Sequence, residues 1–135
     1  MNHVRRVDLH THTTASDGTK SPTELVRLAA QEGLVGLAVT DHDTVDGLAE
    51  AMAEGQRLGV EVVPGVEISL EYKGPMVGAR SGWMHLLVYH LALDGPLATE
   101  LRQMQEWRAS RNTLMIEKLC QMGLEMTLDE VAAAS

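Results

Sequence analysis

Hydrophobic positions fall into two alternating kinds of block along the chain, each ended by a polar break. The short extended blocks are Val7 to His12, Leu34 to Thr40, Val60 to Val63 resuming after Pro64-Gly65 as Val66 to Leu70, and Trp83 to Leu91. Leu34 to Thr40 is almost continuously apolar, the pattern of a strand covered on both faces. Between these blocks the period lengthens to that of helices. Ser21-Pro22-Thr23-Glu24 places a cap, a proline at the first helical position and a glutamate three residues after the cap. Leu25, Val26, Leu28 and Ala29 then form the inward stripe, and Gly33 stops the helix. A second helix is predicted from Val45 to Leu58 with Gly59 as its stop, and a third from Gly95-Pro96 to about Gly123 with Leu97, Leu101, Met104, Trp107, Leu114, Ile116 and Leu119 as apolar positions. Thr127-Leu128-Asp129-Glu130 opens one more capped helix. Strand, polar loop and helix repeat in that order. The expected fold class is α/β, with parallel strands joined by helical crossovers in a doubly wound sheet or a (β/α) barrel.

Composition narrows this picture. At 135 residues, 44% hydrophobic and with no internal repeat or linker, the chain is expected to form one domain, residues 1–135, around one core. Only 3% is aromatic and Phe is absent, so packing is expected to draw on Leu, Val, Ala and the eight Met residues. Eleven Lys and Arg against 19 Asp and Glu give a formal charge of -8, which argues against capture of extended duplex nucleic acid by a basic surface. Any phosphate ligand then needs cations, and bound divalent ions would supply them. One cysteine, Cys120, gives neither an internal disulfide nor a thiolate cluster and is expected to sit in the core; the reading is a cytoplasmic protein with no membrane partner.

The candidate chemistry gathers after the strands. His10 and His12 lie two apart on an extended chain and so project from one face, Asp17 follows in the Thr13 to Thr19 loop, Asp41 and His42 follow the second strand, and Glu67 follows the third. In parallel α/β folds such loops line one rim. His85 fits less tidily, falling early in its strand. Imidazoles and carboxylates without thiolates suit Zn, Mn or Fe, and Glu67 with two oxygens suits a bridge between ions. Asp41 and Asp43 are candidates to brace His42, or else turn formers. Lys73 and Arg80 are candidate phosphate contacts on a Gly-rich loop, where solvated charges are also common. His90 reads as structural or exposed, and His3 as terminal.

Three ordered stretches carry a family likeness. Asp8-Leu9-His10-Thr11-His12-Thr13-Thr14-Ala15-Ser16-Asp17-Gly18, then Val39-Thr40-Asp41-His42-Asp43-Thr44, then Pro64-Gly65-Val66-Glu67-Ile68-Ser69 together resemble the PHP (polymerase and histidinol phosphatase) superfamily, in wording most like its tryptophan-operon-associated phosphoesterases. The resemblance implies a distorted (β/α)7 barrel with up to three divalent ions. It implies His10, His12 and Glu67 on the first ion, Glu67 and His85 on the second, and Asp17 and His42 on the third. It also implies a metal-dependent phosphoesterase using metal-activated water, with no phospho-enzyme, on 3',5'-bisphosphonucleotides, 5'-nucleotides or short 5'-phosphorylated RNA. Alternatives are a catalytically silent metal-binding module, a histidinol-phosphatase-like enzyme, or a plain α/β interaction domain.

The family also carries a later His and a late Asp-x-His, and no histidine follows His90 here. The chain is therefore expected to be the N-terminal portion of the barrel, its missing ligands coming from elsewhere. An unclosed barrel edge is expected to favour self-association.

Overall fold

The computed structural model describes residues 5–72 and 82–133. By their contacts they fall into two compact units, Met1–Leu101 and Arg102–Ser135. The first holds a curled four-stranded sheet, with β1 Arg6–Thr11, α1 Pro22–Gln31, β2 Leu34–Val39, α2 Leu48–Leu58, β3 Glu61–Tyr72, β4 Gly82–Tyr89 and the start of α3, Pro96–Gln121. The strand order is β1-β2-β3-β4. Both helical crossovers join parallel neighbours, β1 to β2 and β2 to β3.

Local sequence explains the helix ends. The Ser21 hydroxyl accepts from the Glu24 N–H at 3.2 Å while the Glu24 carboxylate accepts from the Ser21 N–H at 2.8 Å, the reciprocal cap that the sequence predicts. Gly33 and Gly59 end their helices at positive φ, 69° and 72°, where a side chain would be strained. α2 begins three residues later than expected. Asp43 at φ 53° and a bond from the Asp46 N–H to the Thr44 hydroxyl at 3.2 Å first take the chain through a turn.

Val26 and Ala29 of α1, Leu48 and Ala51 of α2, Leu37, Ala38 and Val39 of β2 and Val66 of β3 are buried together, as the unbroken apolar run of β2 predicts. Leu25 is half-buried and Leu28 exposed, so the expected stripe of α1 is narrower. Among the described residues no Met is buried, and the core is instead Leu, Val and Ala. Glu54 is buried on α2 and held by Arg57 of the same helix and Arg27 of α1.

Two expectations about the strands need correction. β3 is continuous across Pro64-Gly65, because those residues fall where it changes partners: Val39↔Pro64 is its last pair with β2, and Gly65↔Tyr89 its first with β4. A handover tolerates a missing donor and a missing side chain. Second, β4 runs antiparallel to β3, so the sheet is mixed. It curls enough for the Tyr89 hydroxyl, on one edge strand, to donate to the Leu9 carbonyl on the other at 2.8 Å.

In the second unit, the later part of α3 and α4, Leu128–Ala133, line an apolar groove with Met115, Ile116, Leu119, Met126, Leu128 and Val131. Trp107 and Leu114, expected as packing positions, are exposed. Cys120 is exposed rather than core, and its thiol donates to the Met126 carbonyl at 3.2 Å. No helix among the described residues is long and apolar enough to cross a membrane.

Candidate metal centre

Glu67 is the hub. Its side chain leaves β3 past the last pairing with β2, where the backbone is held instead by the loop after β2 through an isolated parallel bridge with His42. One carboxylate oxygen, Oε2, lies 2.7 Å from His10 Nε2, 3.1 Å from His12 Nε2 and 3.7 Å from His42 Nε2. The other, Oε1, lies 2.9 Å from His85 Nδ1. Four imidazoles delivered by β1 and the loop after it, the loop after β2, and β4 thus surround one nearly buried carboxylate.

Strand direction settles the awkward position of His85. Because β4 is antiparallel, its early residues lie where β1 and β2 end. Ser69 pairs with His85 and Glu67 with Leu87, so Glu67 and His85 are diagonal neighbours on one face.

Asp17 extends the cluster to the other side. Its carboxylate lies 3.4 Å from His12 Nδ1 and 3.8 Å from His42 Nε2. The six candidate ligands therefore form three overlapping groups: His10, His12 and Glu67; His12, Asp17 and His42; and His42, Glu67 and His85. Within each group the ligand atoms all lie within 4.8 Å of one another. His12 and His42 serve two groups apiece, a sharing that one-dimensional spacing does not disclose.

The donor set suits divalent cations. His10 Nε2 and His12 Nε2 approach to 3.1 Å, and both face the same carboxylate oxygen. Three lone-pair atoms that close repel unless a proton or a cation lies among them. The buried Nδ1 atoms of His12 and His42 make no hydrogen bond among the described residues, an unusual state for buried polar atoms, although the Asp17 carboxylate lies 3.4 Å from His12 Nδ1. Burial by itself pushes the Glu67 carboxyl up. The His10 hydrogen bond, the charges of His42 and His10 and the bond to His85 outweigh it and hold the group below the usual carboxylate range, ready as an anionic ligand.

Asp41 does something other than brace the His42 ring. It is buried, and it accepts from the Thr13 N–H at 2.6 Å, the Thr13 hydroxyl at 2.8 Å and the Ser16 hydroxyl at 2.6 Å. Those bonds tie down the loop that carries His12 and Asp17. Gly18 closes the same loop against the His12 carbonyl, where a Cβ would stand 2.3 Å from the oxygen. Asp43 accepts from the Ser69 N–H at 2.7 Å and so holds β3 beside the centre. Thr13 and Ser16 are the residues that sequence reading passed over; hydroxyls between a His-x-His and an Asp are the signal that was there. His90 is exposed with φ 56°, and Lys73, Arg80 and His3 lie outside the described residues.

The chain is similar to known proteins. The chain matches the PHP domain family over residues 8–123, a span that takes in all six candidate ligands. The chain belongs to that family. It is 35% identical over 131 residues to a 5'-3' exoribonuclease of Haemophilus influenzae, covering 96% of this chain and 45% of that protein. It is 46% identical over 69 residues to a 3',5'-nucleoside bisphosphate phosphatase of Chromobacterium violaceum, covering 51% of this chain and 24% of that protein. A solved structure from Bifidobacterium adolescentis, provisionally named a metal-dependent phosphoesterase, superposes with a TM-score of 0.75 at 30% identity, covering 97% of this chain and 43% of that one. The PHP chain described here thus spans less than half the length of these relatives.

Proposed function

We propose that this PHP chain is the ligand-bearing part of a metal-dependent phosphoesterase that hydrolyses nucleotide-type esters: a 3',5'-bisphosphonucleotide, a 5'-nucleotide or short 5'-phosphorylated RNA. The observation that carries the reading is Glu67 set among His10, His12, His42 and His85 with Asp17 alongside. The named relatives, an exoribonuclease and a nucleoside bisphosphate phosphatase, support the substrate class. In this reading His10, His12 and Glu67 hold one ion, Glu67 and His85 a second, and Asp17 and His42 a third, with Mn, Zn or Fe as candidates.

When bound, such ions supply a nucleophilic water and neutralise charge on the phosphate and the leaving oxygen. The chain's own part is placement. Glu67 orients the imidazoles through both oxygens, Asp41 fixes the loop bearing His12 and Asp17, and Asp43 holds β3 in register with the turn after β2. Lys73 and Arg80 are proposed phosphate contacts. Self-association through the exposed edge strands β1 and β4, in a cytoplasmic setting, belongs to the same proposal, and light scattering over a wide concentration range tests it.

The experiment is metal analysis of untagged protein together with hydrolysis of the three ester types, before and after chelation. Bound transition metal, turnover, loss on chelation and restoration by Mn or Zn are expected, with label from solvent oxygen in the phosphate. A trapped phosphoryl-protein adduct would exclude the mechanism. The alternative reading is a metal-binding module without turnover. Stoichiometric metal with no hydrolysis of any ester would select it.

A further inference from the structure

We infer that Trp83 is a stacking platform for the base of the nucleotide whose phosphate would meet the ion proposed at Glu67 and His85; the inference rests on the phosphoesterase reading above. The register of β3 with β4 is unbroken from Gly65↔Tyr89 to Tyr72↔Gly82. Side chains alternate along such a ladder, so Glu67, Ser69 and Glu71 share one face with Leu87, His85 and Trp83. The 2.9 Å contact between Glu67 and His85 confirms which face that is. Trp83 therefore stands one same-face step beyond His85, roughly 7 Å along the strand. That step is about what a ribose places between a phosphate and its base.

The indole is also available. Trp83 is 79% exposed, the most open large apolar side chain among the described residues, although it adjoins the charged cluster on a strand. Among the described residues it is the single Trp of the first unit, Trp107 belonging to the second. An acidic chain with a charge of -8 gains little from a basic surface, so affinity for the uncharged part of a nucleotide has to come from contact with its base. A flat aromatic face accepts any base, so stacking there would not select among bases.

The test uses the full chain carrying Trp107→Phe, loaded with Zn, so that Trp83 is the sole indole emitter. Adenosine 3',5'-bisphosphate is expected to quench its fluorescence saturably, while ribose 5-phosphate at equal occupancy is not. In parallel, Trp83→Ala is expected to lower the ratio of kcat/KM for adenosine 5'-monophosphate over ribose 5-phosphate by about 5- to 100-fold, with Trp83→Tyr restoring most of it. Quenching without turnover supports stacking and shifts the wider reading to the silent module. Equal use of both esters by wild type and Trp83→Ala overturns stacking and leaves the phosphoesterase standing. Neither binding nor hydrolysis of any ester overturns both. Emission that follows protein concentration rather than nucleotide would put a protein surface on Trp83 and overturn the proposal.

Discussion

His42 and Glu67 are joined through their backbones where the regular ladder between β2 and β3 has already ended. The Asp43 N–H donates to the Glu67 carbonyl at 3.0 Å and the Glu67 N–H to the Asp41 carbonyl at 3.1 Å, an isolated parallel bridge. Two candidate ligands from different elements are thereby placed by main-chain bonds, which lose far less on side-chain substitution than a purely side-chain network does. The bridge explains why the centre has a defined shape even though His10, His85 and Asp17 are themselves open to solvent.

Removing Glu67 is expected to empty more of the centre than removing any imidazole at its margin. Glu67 belongs to two of the three ligand groups, whereas His85 belongs to one. Glu67→Ala should lower metal per chain further than His85→Ala does, with the fold retained because the bridge is main-chain. Elemental analysis after dialysis, with circular dichroism as the folding control, reads both. Equal metal content in the two variants would contradict the bridging role. Hydrolysis by the Glu67 variant should fall at least about 100-fold, given the several kcal/mol such ions contribute.

Asp41 offers a separate handle on the loop. Its carboxylate satisfies two donors of Thr13 and one of Ser16, so Asp41→Ala leaves buried donors unpaired at about 1–3 kcal/mol for the group left unsatisfied. Asp41→Asn keeps an acceptor for the Thr13 N–H, and the Thr13 hydroxyl can turn to accept from the new amide. Urea unfolding should therefore rank wild type above Asn above Ala. Metal affinity should drop about 10- to 100-fold in the Ala variant, because the loop carrying His12 and Asp17 loosens. An Ala variant as stable as wild type would show the bonds to be incidental.

That the candidate imidazoles and carboxylates gather on one rim is legible in the sequence, because side chains two apart on a strand share a face and loops after parallel strands share an end. The capped start of α1 and the buried β2 were legible for the same kind of local reason. Strand direction was not. A period of two is the same read in either sense, so His85 looked misplaced until β4 proved antiparallel. The partners of Asp41 lie 25 and 28 residues away, beyond any local pattern, so the sequence offers a brace for His42 or a turn former there and not the loop that its carboxylate holds. Methionine content and the apolar setting of Cys120 suggested core, yet composition does not say which apolar residues a sheet and two helices enclose.

Gly65 tests the handover in β3. A Cβ there would stand 2.8 Å from the Val88 carbonyl oxygen and 2.9 Å from the Thr40 methyl, one obstacle being backbone of β4 and the other a fixed side chain at the end of β2. Gly65→Ala is expected to cost about 1–3 kcal/mol by overpacking, seen as a lower urea midpoint at unchanged slope. Since relief requires β4 to move away, the variant should also lose metal at the group containing His85 while retaining it at the group of His12, Asp17 and His42. Loss of stability without that selective loss would place the strain elsewhere.

Away from the centre, Glu54 should govern part of the acid sensitivity. Arg57 Nε lies 2.8 Å from Oε2 and Arg57 Nη2 2.7 Å from Oε1, while Arg27 Nε lies 2.7 Å from Oε1, so the carboxylate links α2 to α1. The bonds from Arg57 and then Arg27 hold its carboxyl at about 2, against an ordinary value of 4.5. A carboxyl lowered in the folded state binds fewer protons there than in the unfolded chain, so its stabilisation is complete above pH 4.5 and declines as the pH falls toward about 2. Glu54→Gln removes that dependence. The thermal midpoint of wild type should drop more between about pH 5 and about pH 3 than that of Glu54→Gln, and the difference should shrink in high salt because both arginines reach solvent. Parallel acid limbs for the two proteins would show that the helix pair is held by packing alone.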